Sequence, residues 1–244
     1  MFDPVFRPFG NMARENGLII AIDGPAASGK STTARLVAVE LGYTYIDTGA
    51  MYRAVTLAVL LHGLDPGDEE AVTSLARDLT ISFEPRPEGG NRTILDGVDV
   101  SEQIRHPEVA ANVSQVSAWR GVREAMVSLQ RKIAGSGGYV LDGRDIGTVV
   151  FPDADLKIFL VADIEHRARR RLNDLTASGI RTELESVADD LQTRDRKDST
   201  RSESPLRPAE DAIHIDTSGL SIAEQVDEVA ELARAIEKGM ERPG

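Results

Sequence analysis

The chain has no cysteine, a single tryptophan, aromatic residues at only 5%, and fewer basic than acidic side chains, 28 against 40. Without cysteine there is neither a disulfide nor a thiolate zinc site, which fits a reducing cytosol. A formal net charge of −12 argues against broad binding to nucleic acid or to an anionic membrane. No run of about 18 apolar residues is there to cross a bilayer. The first 16 residues, MFDPVFRPFGNMAREN, lack the continuous apolar segment of a secretory signal. His62, His106, His166 and His214 are scattered without ligand-like spacing, which excludes a recognisable histidine metal site. A soluble, cytoplasmic protein is expected, with neither nucleic acid nor membrane as partner.

What is there is an ordinary globular chain of 244 residues, long enough for one large domain or one domain with a small insertion. The tail 1–16 carries two prolines and little periodicity, so it is read as poorly ordered. LIIAI (18–22) is a short apolar run, as in a strand buried on both faces. TTARLVAVELG has helical spacing and ends at Gly42; TYID reads as a strand and GAMYRAVTLAVLLHG as a second helix. Residues 79–100 break the pattern, with LTISFEP and NRTILDGVDV flanking the turn RPEGGN, which predicts a small antiparallel insertion. Helical spacing returns over 107–134. Strands follow at YVLD, LKIFLVA and AIHID, before a closing helix, SIAEQVDEVAELARAIEKG. Alternating strands and helices predict an α/β fold with a largely parallel sheet.

Residues Gly24 to Ser31, GPAASGKS, match G-x-x-x-x-G-K-[ST] in full. A chance match in a chain of this length is an event on the order of one per cent. The motif also stands between an apolar strand and a helix, where it belongs. Glycines let the backbone wrap a phosphate, with N–H groups and the helix start pointing inward. The nucleotide loop is therefore Gly24, Pro25, Ala26, Ala27, Ser28, Gly29, Lys30, Ser31 and Thr32, with Lys30 reaching the β- and γ-phosphates. Ser31 and Asp142, which closes YVLD, are the candidate Mg²⁺ ligands. The bland alternative for Asp142 is a cap in an Asp-Gly turn.

P-loops serve GTPases, ATPases and small-molecule kinases, so the loop alone does not decide. An Asn-Lys-x-Asp segment to read guanine is missing. YVLD is followed by GRDIGTVVFPDA, which puts an arginine at the carboxyl edge of the sheet, where open α/β folds bind ligands. Arginine there suits a phosphate, because its fork matches phosphate oxygens. DTGAMYR (47–53) and RDRKDSTR (194–201) supply more cations.

With IDGPAASGKST, YIDTGAMYRAV, VAANVSQVSAWRGVREA (109–125), GRDIGTVVFPDADLKIFL and RDRKDSTRSESPL, the chain resembles the bacterial cytidylate kinase family of nucleoside monophosphate kinases. The likeness runs from about Leu18 to the last helix. It implies a P-loop kinase fold with a central parallel sheet, a β-rich insertion and a short lid. It also implies a monomer that phosphorylates CMP, and dCMP, from ATP with Mg²⁺. Residues 17–240 would be one kinase domain, with a monophosphate-binding part at about 48–115, the insertion at 79–100 and the lid at about 171–184. By resemblance, Arg53, Arg144 and Arg201 hold the acceptor phosphate. Ser114, Arg123 and Asp145 read cytosine with Thr48 nearby, and Arg194 and Asp198 contact the sugar. Thr48 stands where other members have serine. Lys197 has no assigned role.

The chemistry agrees with that assignment. Cytosine donates from N4 and accepts at O2 and N3, so a carboxylate and a guanidinium suit it; uracil reverses the pattern at N3 and position 4. EHRARRRL (165–172) puts Arg167, Arg170 and Arg171 on one helix face beside the lid LNDLTASGIRTE. Its ordinary reading is a solvated face; its functional reading places Arg167 and Arg171 on the transferred phosphoryl group. Trp119 reads as packing rather than a base platform. A uridylate, adenylate or shikimate kinase, or a protein that binds ATP without transfer, remain the alternatives at this stage.

Overall fold

The structure, a computed structural model, describes residues 14–86, 90–177 and 179–240. Residues 1–13 of the predicted tail, 87–89 of the RPEGGN turn and 178 of the predicted lid lie outside the described residues. Residues 14–16 are tied down: Arg14 Nη2 donates to Asp153 Oδ2 at 2.9 Å, and the Asn16 N–H donates to Ser136 O at 3.2 Å.

β1 (Ile19–Asp23) is buried along its whole length. It lies between β6 (Tyr139–Asp142) and β7 (Leu156–Val161), while β2 (Thr44–Asp47) and β8 (Ile213–Asp216) complete a sheet of order β2-β6-β1-β7-β8. All its pairings are parallel. The period of two along β1 divides the core: Ile20 and Ile22 pack with Val37, Ile158, Leu160 and Val229 on one face, Ile19 and Ala21 with Ile46, Leu141 and Ile146 on the other. Each fully buried isoleucine contributes about 1.5–3 kcal/mol. Helices α1 (Lys30–Leu41) and α8 (Ile222–Met240) cover the first face. α1 stops at Gly42, whose φ of 71° and N–H to Ala38 and Val39 carbonyls end the helix in the left-handed region.

A second core joins α2 (Thr48–Leu61), α3 (Glu69–Asp78), α4 (Pro107–Val116) and α5 (Arg120–Ala134) to the antiparallel sheet of β3 (Ile81–Pro85), β4 (Asn91–Leu95) and β5 (Val98–Asp99). The predicted antiparallel insertion is therefore present. The helical stretch predicted over 107–134 is interrupted at 117–119, where Trp119 Nε1 donates to Pro66 O at 2.9 Å and the ring packs into this core. α6 (Ile164–Ala177) and α7 (Leu184–Thr200) pack against each other through Ala168, Val187 and Leu191. Among the described residues no helix is long and apolar enough to cross a membrane.

The parallel sheet delivers its chemistry to one edge. β1, β2 and β6 each end in aspartate, at Asp23, Asp47 and Asp142, with Asp142 in register with both Ile22 and Asp47. The loop GPAASGKS leaves from the same edge, as expected for an open α/β sheet.

Candidate active site

The phosphate loop is shaped by two glycines. Gly24 has φ 146°, and a Cβ there would stand 2.1 Å from Leu160 O, so only glycine lets the loop pass β7. Gly29 takes φ 97° at the start of α1, where no side chain caps the helix. The leading N–H groups of α1 thus face the loop interior, free to meet an anion. Ala27 holds φ 58°, a strained setting for a residue with a Cβ. Lys30 is buried and donates to Pro25 O at 2.5 Å. Burial, followed by the nearby Arg144, pushes its ammonium well below the usual lysine range, partly opposed by Asp142 and Asp23.

Asp142 is 4% exposed. Ser31 Oγ donates to its Oδ2 at 2.7 Å and Tyr45 OH to its Oδ1 at 2.8 Å. Burial and then Asp47 push this carboxyl up to about 6, against the pull of Lys30. Tyr45 is pushed well above its ordinary range by burial and by Asp142, so it stays a donor. Among the described residues no three His, Cys, Asp or Glu side chains form a cluster able to hold a metal. One carboxylate beside one hydroxyl still fits Mg²⁺, which keeps waters and phosphate oxygens as its other ligands.

Across the cleft stand the predicted acceptor residues. Asp47 caps α2 by accepting from the Ala50 N–H at 2.9 Å, and it pairs with Arg53 at 2.7 Å. Arg144 Nε donates to Asp198 Oδ2 at 2.9 Å. Arg194 and Asp198 lie four residues apart on α7, with buried Leu191 three residues before Arg194, which turns both side chains toward the sheet edge. Among the described residues Arg194 has no ion-pair partner within 4.0 Å. Burial and the cations of Arg144, Arg53 and Arg171 hold its guanidinium down to about 10, despite Asp198. Four arginines therefore converge in a chain of net charge −12.

Arg123 and Asp145 form a buried ion pair through Arg123 Nη2 and Asp145 Oδ2. Arg123 also donates to Ser117 O at 3.2 Å and lies over the Tyr52 ring, 5.2 Å from its centroid. Asp145 Oδ1 is left with Arg201 Nη2 at 3.9 Å. Arg201 itself is fixed by Nε donating to Ser204 O at 2.6 Å. Ser114 lines the cleft with Ser31, Arg171 and Arg194, in a volume of about 1230 Å³. Thr48 Oγ1 is buried and donates to Asp142 O at 2.7 Å, so its one proton ties α2 to β6.

The arginines of α6 divide. Arg167 is buried beneath the loop, donating to Ala26 O at 3.2 Å and pairing with Asp195 of α7 at 2.5 Å. Arg170 donates to Ser28 O at 3.3 Å and to Thr217 O at 2.6 Å. Arg171 is exposed and lines the cleft. Sequence reasoning missed Asp23, Tyr45 and Asp47, and it set Arg170 on the shared face of α6 without choosing it for a role. For the first three the signal was present, since each ends or lies within a strand leading to the site; Arg170 has no local mark that separates it from its neighbours.

The cytidylate kinase family model matches residues 20–235. A protein named cytidylate kinase from Limosilactobacillus reuteri is 53% identical over 219 residues, covering 89% of this chain and 96% of its own length. Another of that name from Streptococcus gordonii is 53% identical over 218 residues, with the same coverage of 89% and 96%. Among solved structures, an uncharacterized protein from Eubacterium ventriosum superposes with a TM-score of 0.52 at 10% identity, covering 89% of this chain and 99% of that one. That likeness speaks for the fold alone. With the family model spanning nearly the whole described chain and relatives at half identity, the chain belongs to the cytidylate kinase family.

Proposed function

We infer that this protein is an ATP-dependent kinase that converts CMP to CDP in pyrimidine nucleotide metabolism, and that it accepts dCMP as well. The observation that carries the reading is the second group of cations: Arg194 crowded by Arg53, Arg144 and Arg171, and near enough to Lys30 that Arg144 and Arg194 help hold its ammonium down. ATP binding alone requires one phosphate cradle; transfer to a nucleotide requires two.

In the reaction the bond from the γ-phosphorus to the bridging oxygen of ADP breaks, and a bond to an α-phosphate oxygen of CMP forms. The acceptor oxygen is already anionic, so no general base is called for. The protein's part is alignment and charge. Residues 24–32 wrap the ATP phosphates, with Lys30 along the β- and γ-oxygens. Arg53, Arg144 and Arg201 hold the CMP phosphate, and Arg194 and Asp198 the sugar. Arg171 supplies a cation to the group in flight, while Arg167 acts from a fixed seat under Ala26. Ser31 and Asp142 would hold Mg²⁺, which draws charge off the β- and γ-oxygens when bound.

Asp145 Oδ1 can accept from cytosine N4, with Arg123 and Ser114 on the acceptor edge; Thr48 sets the spacing between α2 and β6. Against uracil the same carboxylate oxygen would face a carbonyl, a buried mismatch that supports strong discrimination. Acceptance of dCMP follows from Asp198, which Arg144 already pairs, so a missing 2′-hydroxyl strands no charge. Both phosphate sites come from one chain, consistent with a cytoplasmic monomer built as one domain over 17–240. The monophosphate-binding part spans about 48–115, and the lid, about 171–184, closes over ATP to exclude water.

An acceptor screen with ATP and Mg²⁺ across CMP, dCMP, UMP, AMP and shikimate, read by coupled ADP release, tests the reading. CMP and dCMP should lead by about 100-fold or more in kcat/KM. A preference for any other acceptor would overturn it.

A further inference from the structure

Asp23 is the last residue of β1 and precedes the first glycine of the phosphate loop. Its carboxylate is 4% exposed and forms no ion pair among the described residues. Instead Oδ1 accepts from the Ile146 N–H at 2.9 Å and Oδ2 from the Gly147 N–H at 2.8 Å. These amides belong to the two residues that follow Arg144 and Asp145. They open a wide, π-helical turn over 146–150, in which Val149 N–H at 2.9 Å and Val150 N–H at 3.1 Å donate to Asp145 O. The backbone at residue 145 is thus gripped from two directions, and that grip sets where the Arg144 and Asp145 side chains point.

Two oxygens facing two amides is an arrangement that a carboxyl group meets with both of its oxygens. Asparagine offers one acceptor and would turn its NH₂ toward the other N–H. A neutral tie would be cheaper to bury, since desolvation pushes Asp23 up to about 7 against the pull of the two amides. The costly group sits at the junction between the loop that holds the donor and the turn that holds the acceptor. Lys157 closes the far side: a Cβ on Gly147 would stand 3.2 Å from Lys157 Cδ and 3.5 Å from Asp23 Oδ2.

We propose that Asp23 is the positioning residue of the acceptor site, tying the start of the phosphate loop to the backbone that carries Arg144 and Asp145 so that donor and acceptor clamps keep one spacing. This rests on the reading above that Arg144 and Asp145 meet CMP. The role is neither metal binding nor proton transfer; it is the fixing of a distance, to which in-line transfer is steeply sensitive.

The test compares Asp23→Asn with Arg144→Ala in the full chain, by steady-state kinetics with ATP, CMP and UMP and by thermal melting. For Asp23→Asn the expected result is a folded protein whose ATP KM stays within about threefold of the parent. Its kcat/KM for CMP should fall by about 30-fold or more, with the CMP-over-UMP ratio compressed in parallel. Equal losses toward ATP and CMP would mark a general structural defect and overturn the proposal, as would unchanged CMP kinetics. If Arg144→Ala loses CMP while Asp23→Asn keeps it, the positioning role alone fails. If Arg144→Ala itself leaves CMP untouched, the acceptor-site reading fails first. Should Asp23→Asn not fold, Asp23→Glu keeps both oxygens but lengthens the tie by one methylene. It should give a CMP-selective loss of about three- to tenfold, and an unchanged CMP-to-ATP ratio there overturns the proposal.

Discussion

Arg123 and Asp145 pair with their side chains only 4% and 6% exposed, and the second Asp145 oxygen is left facing Arg201 at 3.9 Å. One oxygen therefore neutralises a buried guanidinium while the other remains for a ligand. Removing either partner strands a buried charge, which costs about 3–5 kcal/mol. Asp145→Asn should lower the melting temperature and reduce the CMP-over-UMP ratio by about 100-fold, because its NH₂ can donate to uracil O4. The double change Arg123→Met with Asp145→Leu separates the effects: it should recover most of the melting temperature and none of the selectivity. Melting curves beside two-acceptor kinetics decide it, and retained CMP preference in Asp145→Asn would remove Asp145 from base reading.

Arg194 makes the opposite trade. It is half-buried among like charges, held down to about 10 by burial and by Arg144, Arg53 and Arg171. Arg194→Gln relieves that repulsion in the free protein. Its melting temperature should hold or rise by up to roughly 3 °C, while the rise produced by CMP is lost and kcat/KM for CMP falls about 100-fold. Differential scanning fluorimetry with and without CMP reads both. A variant that melts lower yet keeps the full CMP-induced rise contradicts a part for Arg194 in holding CMP.

The two arginines proposed for phosphoryl transfer should behave differently when removed. Arg171 is exposed on the cleft, so Arg171→Ala should lower kcat by about 10²–10³ with no measurable change in melting. Arg167 holds Ala26 O and Asp195 from beneath the loop. Arg167→Ala leaves Asp195 without its cation, and the melting temperature should drop by about 5–10 °C together with kcat. Normal kcat in Arg171→Ala would take it off the transferred group.

Asp142 receives the Ser31 hydroxyl and the Tyr45 hydroxyl on separate oxygens. If that carboxylate serves Mg²⁺, Asp142→Asn should raise the Mg²⁺ concentration for half-maximal activity by about 10-fold or more, and the KM for CMP should change little. Titration of activity against free Mg²⁺ at saturating ATP measures this. An unshifted curve would assign Asp142 to structure alone.

The elements visible in the sequence were those whose signal is local. The run LIIAI, the glycine motif and the Gly42 stop each carry their own physics; the run forms a strand one residue later than read, at Ile19–Asp23, and α1 ends at Gly42 as read. α3 was not read: of its ten residues only Val72 and Ala76 are buried, too thin a stripe to stand out, although Asp68 caps it. The break at 117–119 carries neither glycine nor proline; it is set by Trp119 reaching Pro66, a partner 53 residues away. IGTVV is assigned to no element from sequence; it forms a helical turn whose two leading amides are accepted by Asp23 of β1. The division of labour on α6 was equally hidden. Spacing put three arginines on one face, but the carboxylate that draws Arg167 inward comes from α7 and the carbonyls that hold Arg170 come from the loop and from Thr217.

Asp23 also gives the protein a signature in its pH dependence. Desolvation raises its carboxyl from 3.8 to about 7, Asp145 adds to the rise, and the amides of Gly147 and Ile146 and the charge of Lys30 oppose it. In the unfolded chain the same group titrates near 4, so between about pH 4 and pH 7 the folded state binds more protons than the unfolded state. Stability from this group is therefore complete below the unfolded value and is lost as pH rises through 7. At about 1.4 kcal/mol per pH unit, the full window is worth on the order of 4 kcal/mol. Asp23→Asn carries no titrating group, so the melting temperature of the parent minus that of the variant should fall from pH 5 to about pH 7 and level off above it. Melting curves across that range, at fixed ionic strength, measure the difference directly. A difference that stays constant, or rises with pH, would mean that Asp23 is ionised in the folded protein well below neutrality.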